Sequence, residues 1–312
     1  MPHNRQLTGK SIAIVGSGVV GRATGTGFQA KGNSVVFYDV APERLAVLRR
    51  HGLSATHAAS LGADHDTYLI SVPSPTIEGR VDLSCVEAAA LTVGNAIRSH
   101  AGRPLVVVRS TVPPGTTETL VREALERASG RIAGEGFGLC MNPEFLRELS
   151  AEVDFLNPRV IVIGTLDDRS DAALRELYAP WPQIPILSMT LRSAEFCKYT
   201  ANIFNAAKIS FFNEMEELCL AVGAQPREVF AAAARGAEGL WNPQYGTRGL
   251  YPYGGACLPK DTIGFLGFLE ETRLADSALM LNATIDTNER LAARQAPTEL
   301  AAWAEPQQAL AS

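Results

Sequence analysis

Histidine is missing from the last two-thirds of this 312-residue chain, because all five (His3, His51, His57, His65 and His100) lie in the first third. Proton transfer or metal binding further along must therefore use Lys, Asp, Glu or Cys rather than imidazole. Lysine is equally scarce, with five against 23 arginines, and three of the five (Lys198, Lys208 and Lys260) fall in one stretch of the second half. Where arginine supplies the surface charge, an amine is informative, since only an amine is readily desolvated or neutralised for catalysis. For Lys208 compositional chance is the competing explanation. The five cysteines (Cys85, Cys140, Cys197, Cys219 and Cys257) are odd in number and widely spaced, and none forms a Cys-x-x-Cys pair. That pattern argues against a disulfide framework and against structural zinc, and it implies reduced thiols, one of them a candidate nucleophile. No apolar run approaches the length of about eighteen residues that spans a bilayer. The opening MPHNRQLTGK lacks the apolar core of a secretory signal, so a cytoplasmic location is expected. A net charge of -5 offers no cationic footprint for nucleic acid or an anionic membrane, and a small-molecule partner is expected instead.

What the chain has, at 46% hydrophobic residues, is enough apolar material for two cores, and two domains are expected. Short β-branched runs alternate with helical patterns: SIAIV at 11–15, VVFY at 35–38, TYLISV at 67–72, LVVVR at 105–109 and VIVIG at 160–164. They predict buried parallel strands in a βαβ succession. Near residue 190 the period changes, and helical patterns run from about Ala194 to Val222, from Pro226 to Ala234 and from Pro259 onward. The expected architecture is an α/β, Rossmann-type parallel-sheet domain over 1–190 and an all-α domain over 191–296. A tail follows at 297–312.

SIAIV runs straight into Gly16-Ser17-Gly18-Val19-Val20-Gly21, and a helix follows. The first glycine permits a tight turn, the second lets backbone N–H groups approach a pyrophosphate, and the third allows close helix–strand packing. Asp39 ends the next strand about twenty residues on, where a carboxylate accepts from a ribose 2′-OH and repels a 2′-phosphate. That favours NAD, while Arg44 nearby carries the opposite charge. Val19, Val20, Arg44, Pro73, Ser74, Ser110 and Thr111 complete the candidate cofactor-binding residues.

Four further segments carry candidate chemistry. In Gly254-Gly255-Ala256-Cys257-Leu258-Pro259-Lys260-Asp261, Pro259 suits the first position of a helix. Cys257 then precedes a helix N-terminus, whose partial positive charge favours a thiolate; the competing explanation is a buried structural cysteine. Asp261 either orients water or a lysine, or simply answers the helix start. On the long helix, Lys198, Asn202 and Asn205 share one face, with Asn213 near the same side. Phe196, Ile203, Phe204, Ile209, Phe211 and Phe212 make that helix apolar nearly all round, which predicts burial and a polar stripe facing a partner or ligand. Thr111, in Ser110-Thr111-Val112-Pro113-Pro114-Gly115-Thr116, falls at the carboxyl edge of the sheet, where open α/β folds bind ligands. Asn142 is expected to cap a helix in Asn142-Pro143-Glu144-Phe145-Leu146-Arg147-Glu148, with Glu144 and Glu148 one turn apart; capping and catalysis both remain open for Glu148.

Taken in order, Gly16–Gly21, STVPPGT at 110–116, NPEFLRE at 142–148, AEFCKYTANIFNAAKISFFNE at 194–214 and YGGACLPKD at 253–261 resemble the UDP-glucose/GDP-mannose dehydrogenase family. The resemblance runs from about Lys10 to Thr262. It implies oxidation of a sugar-nucleotide C6 alcohol to a carboxylate with two NAD and no metal. Cys257 matches the nucleophile that captures the aldehyde as a thiohemiacetal, which passes through a thioester to the acid. Lys198 matches a lysine that stabilises oxyanionic character, with Asn202 and Asp261 holding lysine, water and substrate oxygen. Thr111 and Glu148 match a pair that positions and activates water, with Glu144 as neighbour. Phe145, Leu146, Arg147, Tyr253, Gly254, Gly255 and Arg248, together with Lys198 and Asn202, are the implied substrate-binding residues.

The chain departs from the family at Val19 or Val20, where a tyrosine is usual, and at Leu149 and Pro158-Arg159. Full-length relatives continue into a third, nucleotide-binding domain, and this chain is expected to end about one domain short. Relatives also lend an arginine across a dimer interface built on the long helix. A homodimer is expected here, with Arg235 and Arg248 both candidates for that arginine. Two alternatives stay open: a single-step hydroxyacid or phosphosugar dehydrogenase, and a non-catalytic NAD-binding protein.

Overall fold

The computed structural model describes residues 9–247 and 249–294. The β-branched runs form strands β1 (Ser11–Val15), β2 (Ser34–Asp39), β3 (Ala55–His57), β4 (Thr67–Ile70), β5 (Thr76–Ile77), β6 (Arg80–Val81), β7 (Leu105–Val108), β8 (Gly138–Met141), β9 (Ile161–Thr165) and β10 (Ile186–Thr190). Eight of them make one sheet in the order β10-β9-β8-β7-β4-β1-β2-β3, and β5 pairs antiparallel with β6. The helices are α1 (Val19–Ala30), α2 (Pro42–Arg50), α3 (Ser84–Ile97), α4 (Arg122–Ser129), α5 (Ala151–Leu156), α6 (Asp168–Leu177), α7 (Leu191–Ala221), α8 (Pro226–Gly236), α9 (Glu238–Trp241), α10 (Leu258–Glu271) and α11 (Leu279–Arg294). The strand order runs outward from β1 in both directions, so a topological switch falls between β1 and β4, where doubly wound sheets open a crevice.

Both faces of the sheet are covered because the strands are apolar on both faces. Ala13, Val15, Val106 and Val108 pack with Val86 and Val93 of α3 and Leu125 of α4. The alternate residues Ile12, Ile14 and Val107 pack with Phe28 of α1, Phe155 of α5 and Leu174 of α6. This is the period of two that a doubly covered strand must show. One expectation needs correcting. VIVIG is a buried strand, but β9 runs antiparallel to β8 (Cys140↔Thr165, Met141↔Gly164) and parallel to β10, so the sheet is mixed. The burial signal is the same in either direction. Direction is set by the connection, and the β8–β9 connection contains the irregular 142–147 stretch and short α5 rather than a full crossover helix.

Two compact units divide at Asn202/Ile203, within α7. The second unit gathers Leu218 of α7, Leu269 of α10 and Ala278 into a small core. Glu214 on α7 accepts from Met280 N (2.5 Å) and Leu281 N (3.1 Å), satisfying two otherwise orphaned donors at the start of α11. The single chain by itself does not bury α7. In the single chain Phe196 is 62% exposed and Ile203 64%, and Phe204, Ile209 and Phe211 are exposed too. Hydrophobicity states which residues avoid water, not which molecule covers them. Among the described residues no helix is long and apolar enough to cross a membrane.

His65, just before β4, is a buried titratable group whose charge changes near neutral pH. Its Nδ1 lies 2.9 Å from Ser11 Oγ and its Nε2 2.8 Å from Tyr38 OH, with its ring edge-on to Tyr38 and Tyr68. Burial pushes its pKa below the ordinary 6.5, against the opposing pull of Asp64 and Asp66. The unfolded chain therefore takes up the proton first, so His65 contributes stability above pH 6.5 that is lost as pH falls toward the depressed folded value. Thermal unfolding at about pH 7.5 and about pH 5.5 should show a larger loss for the parent than for His65→Gln. Equal losses would assign the acid sensitivity to other groups.

Candidate active site

The three glycines of the turn after β1 do three different jobs. Gly16 has φ +93, a conformation L side chains rarely adopt, and a Cβ there would stand 2.5 Å from Ser71 O. Gly21 backs onto the turn itself, since a Cβ would meet Gly16 O at 2.0 Å. Gly18 caps α1, and a Cβ built on it meets nothing within 4 Å. Its hydrogen therefore faces open space at a helix N-terminus, a cradle that fits a pyrophosphate and that a side chain would fill. The cleft at this point is about 270 Å³ and is lined by Gly18, Val19, Val20 and Arg44, by Pro73 and Ser74 after β4, by Ser110 and Thr111 after β7, and by Glu144 after β8. Ser74 Oγ donates to Thr111 O at 2.5 Å, tying the β4 and β7 loops together.

Asp39 is 4% exposed, and its carboxylate braces the turn. Oδ2 accepts from Ser17 N (2.7 Å) and Ser17 Oγ (2.6 Å), and Oδ1 from Ala41 N (2.9 Å). Burial works to raise its pKa, but these hydrogen bonds and Arg44, whose Nη1 is 3.7 Å away, hold it below the usual carboxylate range.

The 142–148 motif differs most from expectation. Asn142 caps no helix, and residues 142–147 are irregular, so Glu144 and Glu148 are not one helical turn apart. Asn142 is 2% exposed and acts as a hub. Its N donates to Val108 O (2.8 Å), its Nδ2 to Val162 O (2.7 Å), and its Oδ1 accepts from Tyr178 OH (2.6 Å) and from Arg109. Local helix-cap statistics cannot see partners from three other elements. Glu144, two residues on, pairs with Lys198 of α7 at 2.9 Å, with side chains 11% and 6% exposed, and also accepts from Leu146 N at 2.6 Å. The Lys198 ammonium stands 5.8 Å from the Phe145 ring centroid. Arg147 is exposed and forks onto Asp154, Leu146 is half-buried, and Glu148 begins an exposed 3₁₀ turn, Glu148–Ser150. Thus Glu144, not Glu148, is the carboxylate at the cleft with Thr111. Asn202 and Asn205 are exposed in the single chain.

In the second unit Cys257 is exposed and is itself the N-cap of α10, with Leu258 and Pro259 as the first two helical residues. Gly255 has φ +78, and neither it nor Gly254 would bring a Cβ within 4 Å of another group, so the thiol's approach is open. Tyr253 is held by Asn288 Nδ2, which donates to its carbonyl at 3.1 Å. Asp261 N donates to Cys257 O at 2.8 Å, while its carboxylate takes the neighbouring Lys260 ammonium. Arg235 is exposed at the end of α8, and its Nη1 donates to Ala231 O. Arg248 and the tail at 297–312 lie outside the described residues.

Two residues went unnoticed in the sequence. Glu195, fully buried on α7, accepts from Gly115 N and from Thr117 N (2.7 Å), capping the helical turn that leads into α4; burial raises its pKa against those bonds. Arg109 is a buried cation. The available signal was an arginine closing an apolar run with no polar alternation. With this geometry in place, the sequence matches are direct. The UDP-glucose/GDP-mannose dehydrogenase family's NAD binding domain matches residues 50–182, and its central domain matches 192–290. The chain belongs to this family.

GDP-mannose 6-dehydrogenase of Pseudomonas aeruginosa is 35% identical over 272 residues, covering 80% of this chain and 62% of that protein. UDP-glucose 6-dehydrogenase AglM of Haloferax volcanii is 32% identical over 300 residues, covering 87% of this chain and 69% of that protein. A ternary-complex crystal structure of GDP-mannose dehydrogenase from Pseudomonas aeruginosa superposes with a TM-score of 0.83 at 33% identity, covering 90% of this chain and 69% of that one. The chain thus spans roughly two-thirds of these family members, 62% in the first case. The family match begins at residue 50, so the glycine turn at 16–21 stands on its own geometry.

The Lys198–Glu144 pair is open to direct measurement. Lys198→Met should leave a buried carboxylate without its cation and destabilise the chain by about 3 kcal/mol in denaturant unfolding. Adding Glu144→Gln should restore part of that loss. A double variant whose loss equals the sum of the single losses would show that the two groups are not coupled.

Proposed function

We propose that this chain catalyses NAD-dependent oxidation of the primary alcohol of a sugar nucleotide, or of a related phosphorylated sugar, to the carboxylate. The observation that carries this reading is the buried Lys198–Glu144 pair at the open carboxyl edge of the sheet, beside a cleft built for a dinucleotide. An ammonium held in place by one carboxylate supplies a fixed hydrogen-bond donor for a developing alkoxide. Family membership supports the nucleotide-sugar class, since the relatives matched are GDP-mannose and UDP-glucose 6-dehydrogenases.

NAD, when bound, accepts a hydride at each of the two oxidation steps. Gly18 and the start of α1 would hold its pyrophosphate, and Asp39, which holds the turn in place, would lie on the side of the adenosine ribose. The thiol of Cys257 adds to the aldehyde formed in the first step, giving a thiohemiacetal; loss of a second hydride together with the hydroxyl proton gives a thioester. Water cleaves the thioester to the acid and returns the thiol. Lys198 and Asn202 stabilise negative charge on the substrate oxygen, Asp261 orients water or a lysine, and Thr111 with Glu144 positions the water. Glu148, the other carboxylate of the motif, is the alternative for that last role and lies outside the cleft lining.

Two NADH per molecule of acid is the expected stoichiometry when GDP-mannose or UDP-glucose is supplied with NAD. Cys257→Ala should stop acid formation completely, with at most one NADH formed and aldehyde retained. Aldehyde or ketone accumulating at one NADH per turnover, with the Cys257 variant as active as the parent, would establish a single-step dehydrogenase. NAD binding without reduction by any sugar nucleotide or sugar phosphate would leave a binding protein.

A homodimer through α7 fits the same reading, since Ile203, Phe204 and Ile209 would otherwise stand in water. Phe204→Glu should lower the mass in sedimentation equilibrium from two chains to one. An unchanged dimer would place the interface elsewhere.

A further inference from the structure

Arg109 follows β7 directly, and its side chain is only 3% exposed. Its guanidinium donates to Asn142 Oδ1 and, at 3.0 Å, to Tyr178 OH, and stands 5.6 Å from the Phe155 ring centroid. Among the described residues no carboxylate lies within ion-pair distance of it, and its Nε has no hydrogen-bond partner. A buried cation answered only by neutral groups is expensive, and its place in a fold calls for a reason. Holding Asn142 is not a sufficient one. Tyr178 OH, Val162 O and Val108 O already bind that side chain and its backbone at 2.6, 2.7 and 2.8 Å.

The reason lies in the cleft that Arg109 lines together with Gly18, Ser74, Thr111 and Glu144. Strand order distinguishes its two ends. Asp39 and Arg44 follow β2, on one side of the glycine turn, whereas Ser74, Arg109, Thr111 and Glu144 follow β4, β7 and β8 on the other. A dinucleotide with its pyrophosphate at the turn and a ribose toward Asp39 must extend its nicotinamide toward the second group. Glu144, the carboxylate at that end, is already neutralised by Lys198. The charge of Arg109 is left uncompensated there.

We infer that Arg109, with NAD bound as proposed above, is a positioning charge that biases the bound cofactor toward its reduced form. Transfer of a hydride from the substrate carbon, with its electron pair, abolishes the positive charge of the nicotinamide ring; the substrate is oxidised and the ring reduced. A fixed cation at that end opposes the charged oxidised ring and leaves the neutral reduced ring unopposed. Hydride acceptance becomes more favourable, and NADH is held more tightly than NAD.

Equilibrium dialysis or fluorescence titration of the full chain with NAD and with NADH tests this without any substrate. The parent should bind NADH on the order of tenfold more tightly than NAD, the scale of one unit charge acting on another through protein. Arg109→Gln should bring the two affinities close to equality, Arg109→Lys should retain the preference, and Tyr178→Phe, which removes a partner of both Arg109 and Asn142 but no charge, should retain it too. A merely structural arginine would weaken both ligands equally in Arg109→Gln and leave their ratio unchanged, which would overturn the inference. If Arg109→Gln does not fold, equal affinities in the parent would overturn it alone. A parent that binds neither nucleotide would overturn the NAD assignment beneath it.

Discussion

The ammonium of Lys198 has left water, and the 142–147 loop at the carboxyl edge of the sheet answers it. A buried ammonium needs a carboxylate, and Glu144 meets it at 2.9 Å. Glu144 can do so only because residues 142–147 refuse the helix that their composition invites and turn the carboxylate back toward α7. That refusal depends on Asn142, whose amide is used by β9, α6 and β7 neighbours rather than by a local N–H. One electrostatic requirement therefore links an irregular loop, a strand end and a long helix.

The long helix repeats the device at other points. Glu195 caps the turn at Gly115–Thr117, and Glu214 caps α11 in the second unit. In each case a carboxylate on α7 answers backbone donors that a helix start leaves unsatisfied, an interaction supported by the dipole of the capped helix. Helix α7 thus places one buried cation at the cleft edge and uses two carboxylates for architecture. Its apolar residues lie exposed in the single chain.

The cofactor edge has a polarity of its own. On the β2 side Asp39 is spent on Ser17 and Ala41, so the carboxylate stabilises the shape of the glycine turn before it meets any ribose. On the β4–β7–β8 side the charges are a neutral pair, Lys198 with Glu144, and a solitary Arg109. The cleft is therefore electrically asymmetric along the direction in which a dinucleotide would lie.

The sequence by itself determined the features whose causes are local. The apolar runs at 11–15 and 105–109 became strands covered on both faces, the three glycines at 16, 18 and 21 hold the three steric situations their spacing requires, and Cys257 stands exposed at a helix start. The change of period near 190 marked the start of α7 at Leu191. Only the tertiary structure decided the rest. The antiparallel direction of β9 depends on a connection, not on the strand's own residues. The roles of Asn142, Glu144, Glu195 and Arg109 depend on partners 20 to 80 residues away, which no local propensity encodes. Burial of a charge is a property of everything packed around it, and that is settled only when the sheet and its helices have closed.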